Sequence, residues 1–175
     1  SRHVSGQLKV APEHCSAVVL KAMGKPEISV YERFRDKFFK LCEESKKEQY
    51  IVPYLMSSHP GSTLNDAVEL AIWLKRSGYL PEQVQDFYPT PGTVSTVMYY
   101  TGINPLDGKQ VYVSTDYREK LMQRALLQYA KPANAPLIRE ALLRCGREDL
   151  IGYASDCLVR PAREQKPKTG AIAKT

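Results

Sequence analysis

Along Gln7 to Ala11 (QLKVA) polar and apolar side chains alternate, and the run breaks at Pro12-Glu13-His14. That pattern predicts a short strand entering a loop. Val18, Leu20 and Met23 follow, but Gly24 and Pro26 leave room for only one or two helical turns. From Val30 the period changes, with Val30, Phe34, Phe38, Leu41 and Cys42 at helical spacing and Glu32, Arg33, Asp36, Lys37 and Lys40 between them. Ser29 and Glu32 predict a capping box at its start. The helix runs out in a charged patch from Glu43 to Glu48 that reads as a solvated face. Tyr50 to Met56 is a second strand-like run, and it stops abruptly at Ser57-Ser58-His59-Pro60-Gly61. Thr63 and Asp66 then predict a capped helix to about Ser77, burying Leu64, Val68, Ala71, Ile72 and the aliphatic stem of Lys75. Gly78 ends it. A third strand begins near Gln83, covers Val84 to Tyr88, and breaks at Pro89-Thr90-Pro91-Gly92.

Strands alternating with helices through short connections imply two successive βαβ units, hence a parallel sheet with right-handed crossovers. After Gly92 the pattern is helical and aromatic through Val94, Val97, Met98 and Tyr100, and Gln110 to Val113 is a candidate minor strand. Asp116 and Glu119 predict the start of a helix that buries Leu121, Met122, Ala125, Leu126 and Tyr129 and stops at Lys131-Pro132. Asn134 and Pro136 start another, with Leu137, Ile138, Ala141, Leu142 and Cys145 inward and Gly146 at its end. The C-terminal third is therefore a helical appendage to an α/β unit.

A length of 175 residues with 43% hydrophobic content fits one domain with a core. The net charge of +6 predicts weak attraction to polyanions and is no nucleic-acid signal by itself. Much of the excess falls in a tail with Arg160, Arg163, Lys166, Lys168 and Lys174, where Pro161, Pro167 and Gly170 predict a disordered, solvated end. Cys15, Cys42, Cys145 and Cys157 lie far apart without a Cys-x-x-Cys pair, so reduced thiols are expected. No apolar run approaches the roughly 20 residues that span a bilayer. The expectation is a soluble, cytoplasmic protein with no membrane partner. The start at Ser1, running within a few residues into a strand, reads as a piece of a longer polypeptide.

In a parallel sheet, Glu13-His14, Ser57-Ser58-His59 and Tyr88-Pro89-Thr90 would all emerge at the carboxyl edge, where ligands bind α/β sheets. Zinc on His14 and His59 matches no ligand spacing of known zinc sites. A Glu13 base with a Ser57 or Ser58 nucleophile lacks the Gly-x-Ser-x-Gly elbow. Phosphate-binding and dinucleotide-binding glycine patterns are absent from the sequence. Hydrolase, kinase and dehydrogenase readings therefore lack their defining parts.

The ordered set Leu8-Lys9-Val10-Ala11-Pro12-Glu13-His14, Lys47-Glu48-Gln49-Tyr50, Pro53-Tyr54 and Ser58-His59-Pro60-Gly61 continues through Gln83 to Pro91, Met98 to Gly102, Asn104-Pro105-Leu106 and Pro132 to Leu143. In order and spacing it closely resembles the YgiQ-type radical S-adenosylmethionine proteins. The resemblance implies an α/β fold: the C-terminal half of a partial (β/α)6, TIM-like barrel with three parallel strands over residues 1–108. It also implies a helical extension over 109–160, while the basic, disordered tail over 161–175 is read from composition alone and lies outside the resemblance. The family's Cys-x-x-x-Cys-x-x-Cys loop for a 4Fe-4S cluster would lie earlier, and none of the four cysteines here replaces it. In the intact parent the cluster would bind S-adenosylmethionine and release a 5′-deoxyadenosyl radical by reductive cleavage, while the protein orients the cofactor.

By position, the resemblance places Lys9 and Glu13 near the ribose or carboxylate, with His14 beside them. Ser58 and His59 fall on the adenosine side, and Phe87, Tyr88 and Pro89 against adenine. The implied partners are the missing N-terminal part of the same polypeptide and a substrate of unknown class, and the chain alone is not expected to be active. The alternative from another class is a noncatalytic basic α/β module that docks on RNA or a protein.

Overall fold

The computed structural model describes residues 6–162. Strand β1 (Gln7–Glu13), the short helix α1 (Ala17–Ala22), helix α2 (Ile28–Glu44), strand β2 (Tyr50–Ser57), helix α3 (Leu64–Ser77) and strand β3 (Gln85–Asp86) follow in order. The three strands form one parallel sheet in the order β1-β2-β3, as two successive βαβ units require. Closure of this sheet into a barrel is not seen among the described residues, and β1 has no strand partner there on its other edge.

Thr63 caps α3 reciprocally with Asp66, and Gly78 closes it in the left-handed conformation at φ 68°. Helix α2 differs from expectation. It starts at Ile28, so Ser29 lies inside the first turn, and no side chain caps it. Glu32 instead accepts the indole N–H of Trp73 on α3 at 2.9 Å, a tertiary bond that replaces the local cap. Strand β3 is shorter than Val84 to Tyr88, because the chain reaches β2 only where β2 ends: Gln85 pairs with Met56 and Asp86 with Ser57. The Phe87 N–H extends the contact to the Ser57 carbonyl at 2.8 Å.

Helices α4 (Val94–Thr101), α5 (Tyr117–Leu127) and α6 (Ala135–Arg144) complete the chain, with 3-10 turns at Pro132–Asn134 and Glu148–Leu150. Gln110 makes only an isolated antiparallel bridge to Ile103, so no minor strand forms there. In α4 only Met98 is buried, while Val97 and Tyr100 stay exposed. Asp116 caps α5 by accepting the Arg118 N–H. Asn134 makes no side-chain cap on α6, because its amide is turned to the Gln128 carbonyl.

The helices after residue 109 share their core with α3. Ala67, Val68 and Ala71 pack with Met122, Ala125, Leu126, Ile138, Ala141, Leu142, Leu150, Leu158 and Val159. A second cluster joins β2 to α3 through Leu55, Leu70, Leu74, Val84 and Leu127. Helix α2 buries no residue fully: Val30, Phe34, Phe39 and Leu41 are each 43% to 50% exposed. A cleft of about 290 Å³ runs between it and β1, lined by Val10, Pro12, Ile28, Val30 and Phe34 among others. The basic tail expected from residue 161 lies, from 163 on, outside the described residues. No helix among the described residues is long and apolar enough to cross a membrane.

Candidate functional site

Parallel pairing of β1 with β2 brings Glu13 opposite Leu55, with a register irregularity between Val10 and Glu13. Two side chains at adjacent strand ends, Glu13 (φ 67°) and Ser58 (φ 58°), take the left-handed backbone conformation that residues other than glycine avoid. Such positions cost on the order of 1–3 kcal/mol and persist only where surrounding contacts over-determine them. Both also leave a buried oxygen without a hydrogen-bond partner among the described residues, Glu13 Oε2 and Ser58 Oγ. Buried polar atoms are nearly always paired, so these two orphans at neighbouring strand ends, like a third at Ser114 Oγ, call for a partner that the described residues do not supply. The other Glu13 oxygen stands 3.5 Å from Lys25 Nζ, which donates to the Ala11 carbonyl at 2.7 Å.

Behind these residues lies a histidine and carboxylate network. His14 is 1% exposed, and its Nδ1 accepts the Ser16 N–H at 3.0 Å, which leaves the ring proton on Nε2. Burial drives its pKa down to about 4; Asp66 opposes that shift and nearby His59 adds to it. Burial alone would raise the Asp66 carboxyl. Bonds from Ser16 and Thr63, with the nearby His14, outweigh it and hold the group below its ordinary value. His59 Nδ1 lies 2.7 Å from the Pro60 carbonyl, which can only accept, so Nδ1 carries the proton. Its Nε2 then accepts the Ser95 hydroxyl at 2.8 Å, and burial lowers its pKa as well. Both histidines are neutral hydrogen-bonding groups at neutral pH. With both His59 nitrogens engaged, a zinc site on His14 and His59 finds no support, and no metal-binding group of three or more His, Cys, Asp or Glu occurs among the described residues.

The β3 end contributes rings. Phe87 meets His59 edge-on at 5.0 Å between centroids and continues to Tyr99 at 5.6 Å. Tyr88 is 78% exposed, and Pro89 is half-buried. Lys9 is apart: it is exposed, pairs with Val52, and borders a shallow depression with Gly6, Gln7 and Tyr50 at the strands' starting ends. At about 3.3 Å per residue it lies about 13 Å along β1 from Glu13. His14, Ser58, His59 and Phe87 thus come together, with Glu13 at the adjoining end of β1, and Lys9 lies at the other end of that strand.

Several residues of the site give only a faint sequence signal. Gln123 is 0% exposed and bonds both ends of the Ser58–Ser62 loop. Its one clue is a polar side chain beside Met122 and one turn before Leu126 in an apolar stripe. Asp86 accepts the Ser57 hydroxyl and pairs with Arg124 of α5. Ser95 is placed by the Thr93 cap of α4.

Residues 82–175 match the family model described as "Domain of unknown function (DUF3362)". The chain belongs to this family. The match begins just before β3, so the DUF3362 portion supplies Asp86, Phe87, Ser95 and Gln123, while Glu13, His14, Ser58 and His59 precede it. The chain is also similar to a UPF0313 protein of Clostridium botulinum (strain 657 / Type Ba4), 59% identical over 157 residues that make up 90% of this chain and 25% of that protein. A UPF0313 protein of Clostridium perfringens (strain 13 / Type A) is 58% identical over 158 residues, 90% of this chain and 24% of its own length. The chain spans about a quarter of the length of these curated relatives. No solved structure matches.

Proposed function

We propose that this chain is the C-terminal part of a radical S-adenosylmethionine enzyme of the YgiQ type and forms one side of its cofactor pocket. The observation that carries the reading is the pair of orphaned buried oxygens, Glu13 Oε2 and Ser58 Oγ, on left-handed residues at adjacent ends of a parallel sheet. These atoms fit the cofactor's chemistry. A carboxylate oxygen accepts from a hydroxyl or ammonium group, and a serine hydroxyl both donates and accepts. His59 and Phe87 supply a ring surface beside them that suits a purine.

The cluster and S-adenosylmethionine together supply one-electron chemistry that generates a carbon radical. The residues here bind, orient and exclude water. Glu13, held by Lys25, fixes a hydroxyl-bearing or cationic part of the ligand. His14 and His59 stay neutral and set the loops on which Glu13 and Ser58 stand. The ligands of the cluster belong to another part of the parent polypeptide. The edge of β1 that has no strand partner among the described residues, and the half-exposed apolar side chains of α2, are surfaces on which that part would seat, which suits relatives about four times as long as this chain.

The test is S-adenosylmethionine binding by the full-length polypeptide carrying this chain, compared with Glu13→Gln and Ser58→Ala. Each substitution should weaken binding about tenfold or more, the scale of one lost buried hydrogen bond. Unchanged affinity in both variants would remove the strand-end pocket from the account.

A further inference from the structure

The Ser58–Ser62 loop connects β2 to α3 and carries Ser58 and His59, yet much of its conformation is set from a distant helix. Gln123 of α5 is completely buried, and its side-chain amide uses all four of its hydrogen-bonding positions. Oε1 accepts the Ser58 backbone N–H at 3.1 Å and the Ser62 hydroxyl at 3.1 Å. Nε2 donates to the Ser62 carbonyl at 3.0 Å and to Glu119 Oε1 at 3.0 Å. Glu119 is fixed in turn by the Tyr112 hydroxyl at 2.6 Å, and the Tyr112 carbonyl accepts the Gly61 N–H at 2.7 Å. One amide thus ties the first and last residues of the loop to each other and to α5. The loop's middle is tied through Tyr112 to the same helix.

The tie falls where the backbone needs it. Ser58 occupies a left-handed conformation that a serine holds only if something fixes it, and the Gln123 bond to its N–H is a direct restraint there. An apolar side chain of the same size would fill the space but would leave the Ser58 N–H and the Ser62 carbonyl unpaired. We infer that Gln123 is a positioning residue: the DUF3362 portion uses it to hold the Ser58–Ser62 loop in the conformation that presents Ser58 and His59 to the ligand. This inference rests on the cofactor reading above for the identity of the ligand, though not for the restraint itself.

The experiment is peptide-resolved hydrogen exchange on the full-length polypeptide, with S-adenosylmethionine binding measured in parallel. It compares wild type with Gln123→Met, Gln123→Glu and Leu142→Ala. Gln123→Met removes every bond, and exchange over residues 58–62 should rise about tenfold or more with affinity falling by a similar factor. Gln123→Glu removes both donors and sets a carboxylate against Glu119 and the Ser62 carbonyl, so loop protection should fall below wild type and recover as pH is lowered and the carboxyl takes up a proton. Leu142→Ala opens a cavity in the shared core and should lower the melting temperature without raising exchange in the loop. Wild-type exchange over residues 58–62 in Gln123→Met would overturn the inference, as would an equal rise in Leu142→Ala. If wild type binds no S-adenosylmethionine, the cofactor reading fails by itself, and the exchange comparison still decides the role of Gln123.

Discussion

Ser58 concentrates the tension between stability and function in this chain. It combines a left-handed backbone at φ 58° with a buried hydroxyl that has no partner among the described residues. Ser58→Gly relieves both, so chemical denaturation should show a gain of about 1 kcal/mol. The same variant should weaken S-adenosylmethionine binding, since the hydroxyl is what the ligand would meet. A loss of stability would mean that the serine is held by contacts other than those described. His14 makes a pH prediction of definite sign. Its folded pKa, about 4, lies below the ordinary 6.5, so as pH falls from about 6.5 the unfolded chain takes up a proton that the folded one refuses. Stability should therefore drop by about 3 kcal/mol between roughly pH 6.5 and pH 4 from this group. His14→Gln should flatten that part of the stability curve; a curve as steep as wild type would assign it elsewhere. At this scale Glu13, His14, Ser58 and His59 were legible as polar residues where strands end. Gln123 was barely so, because the loop residues it holds, Ser58 and Ser62, stand about sixty residues away and only Glu119 is a local partner.

Among the elements, α3 was the most legible, since both its ends are set by local chemistry: the Thr63 and Asp66 box and the left-handed Gly78. Thr63→Ala should cost about 1 kcal/mol of stability by denaturant titration, the usual worth of a cap. A larger loss would show that the Asp66 network with Ser16 and His14 collapses with the cap. Helix α2 shows why the same signal failed elsewhere. Ser29 and Glu32 have the spacing of a box, but Glu32 has a better partner in the Trp73 indole, and the helix starts before Ser29. Strand β3 was read too long because propensity marks extended residues. Pairing depends on where β2 stops, and only Gln85 and Asp86 are opposite it.

For the whole molecule, the parallel order of three strands followed from the alternation of strand and helix patterns. The joint core of α3, α5 and α6 did not, because it depends on contacts between residues 67–71 and 122–142 that neither segment's pattern encodes. Leu126, 0% exposed in that core, tests its weight: Leu126→Ala should cost about 2–5 kcal/mol. A loss below about 1 kcal/mol would mean that α5 is a loosely attached appendage, and the restraint it places on the β2 exit loop would lose its footing. The α/β half and the helical third thus act together on one edge of one sheet, and the account's central claim is that this edge holds S-adenosylmethionine. The most direct test is anaerobic reconstitution of the full-length polypeptide with iron and sulfide, then reduction in the presence of S-adenosylmethionine and an assay for 5′-deoxyadenosine. The account predicts product from the full-length protein, with much less from its Glu13→Gln variant and none from the present chain alone. A well-folded full-length protein that forms no cluster and yields no 5′-deoxyadenosine would contradict it.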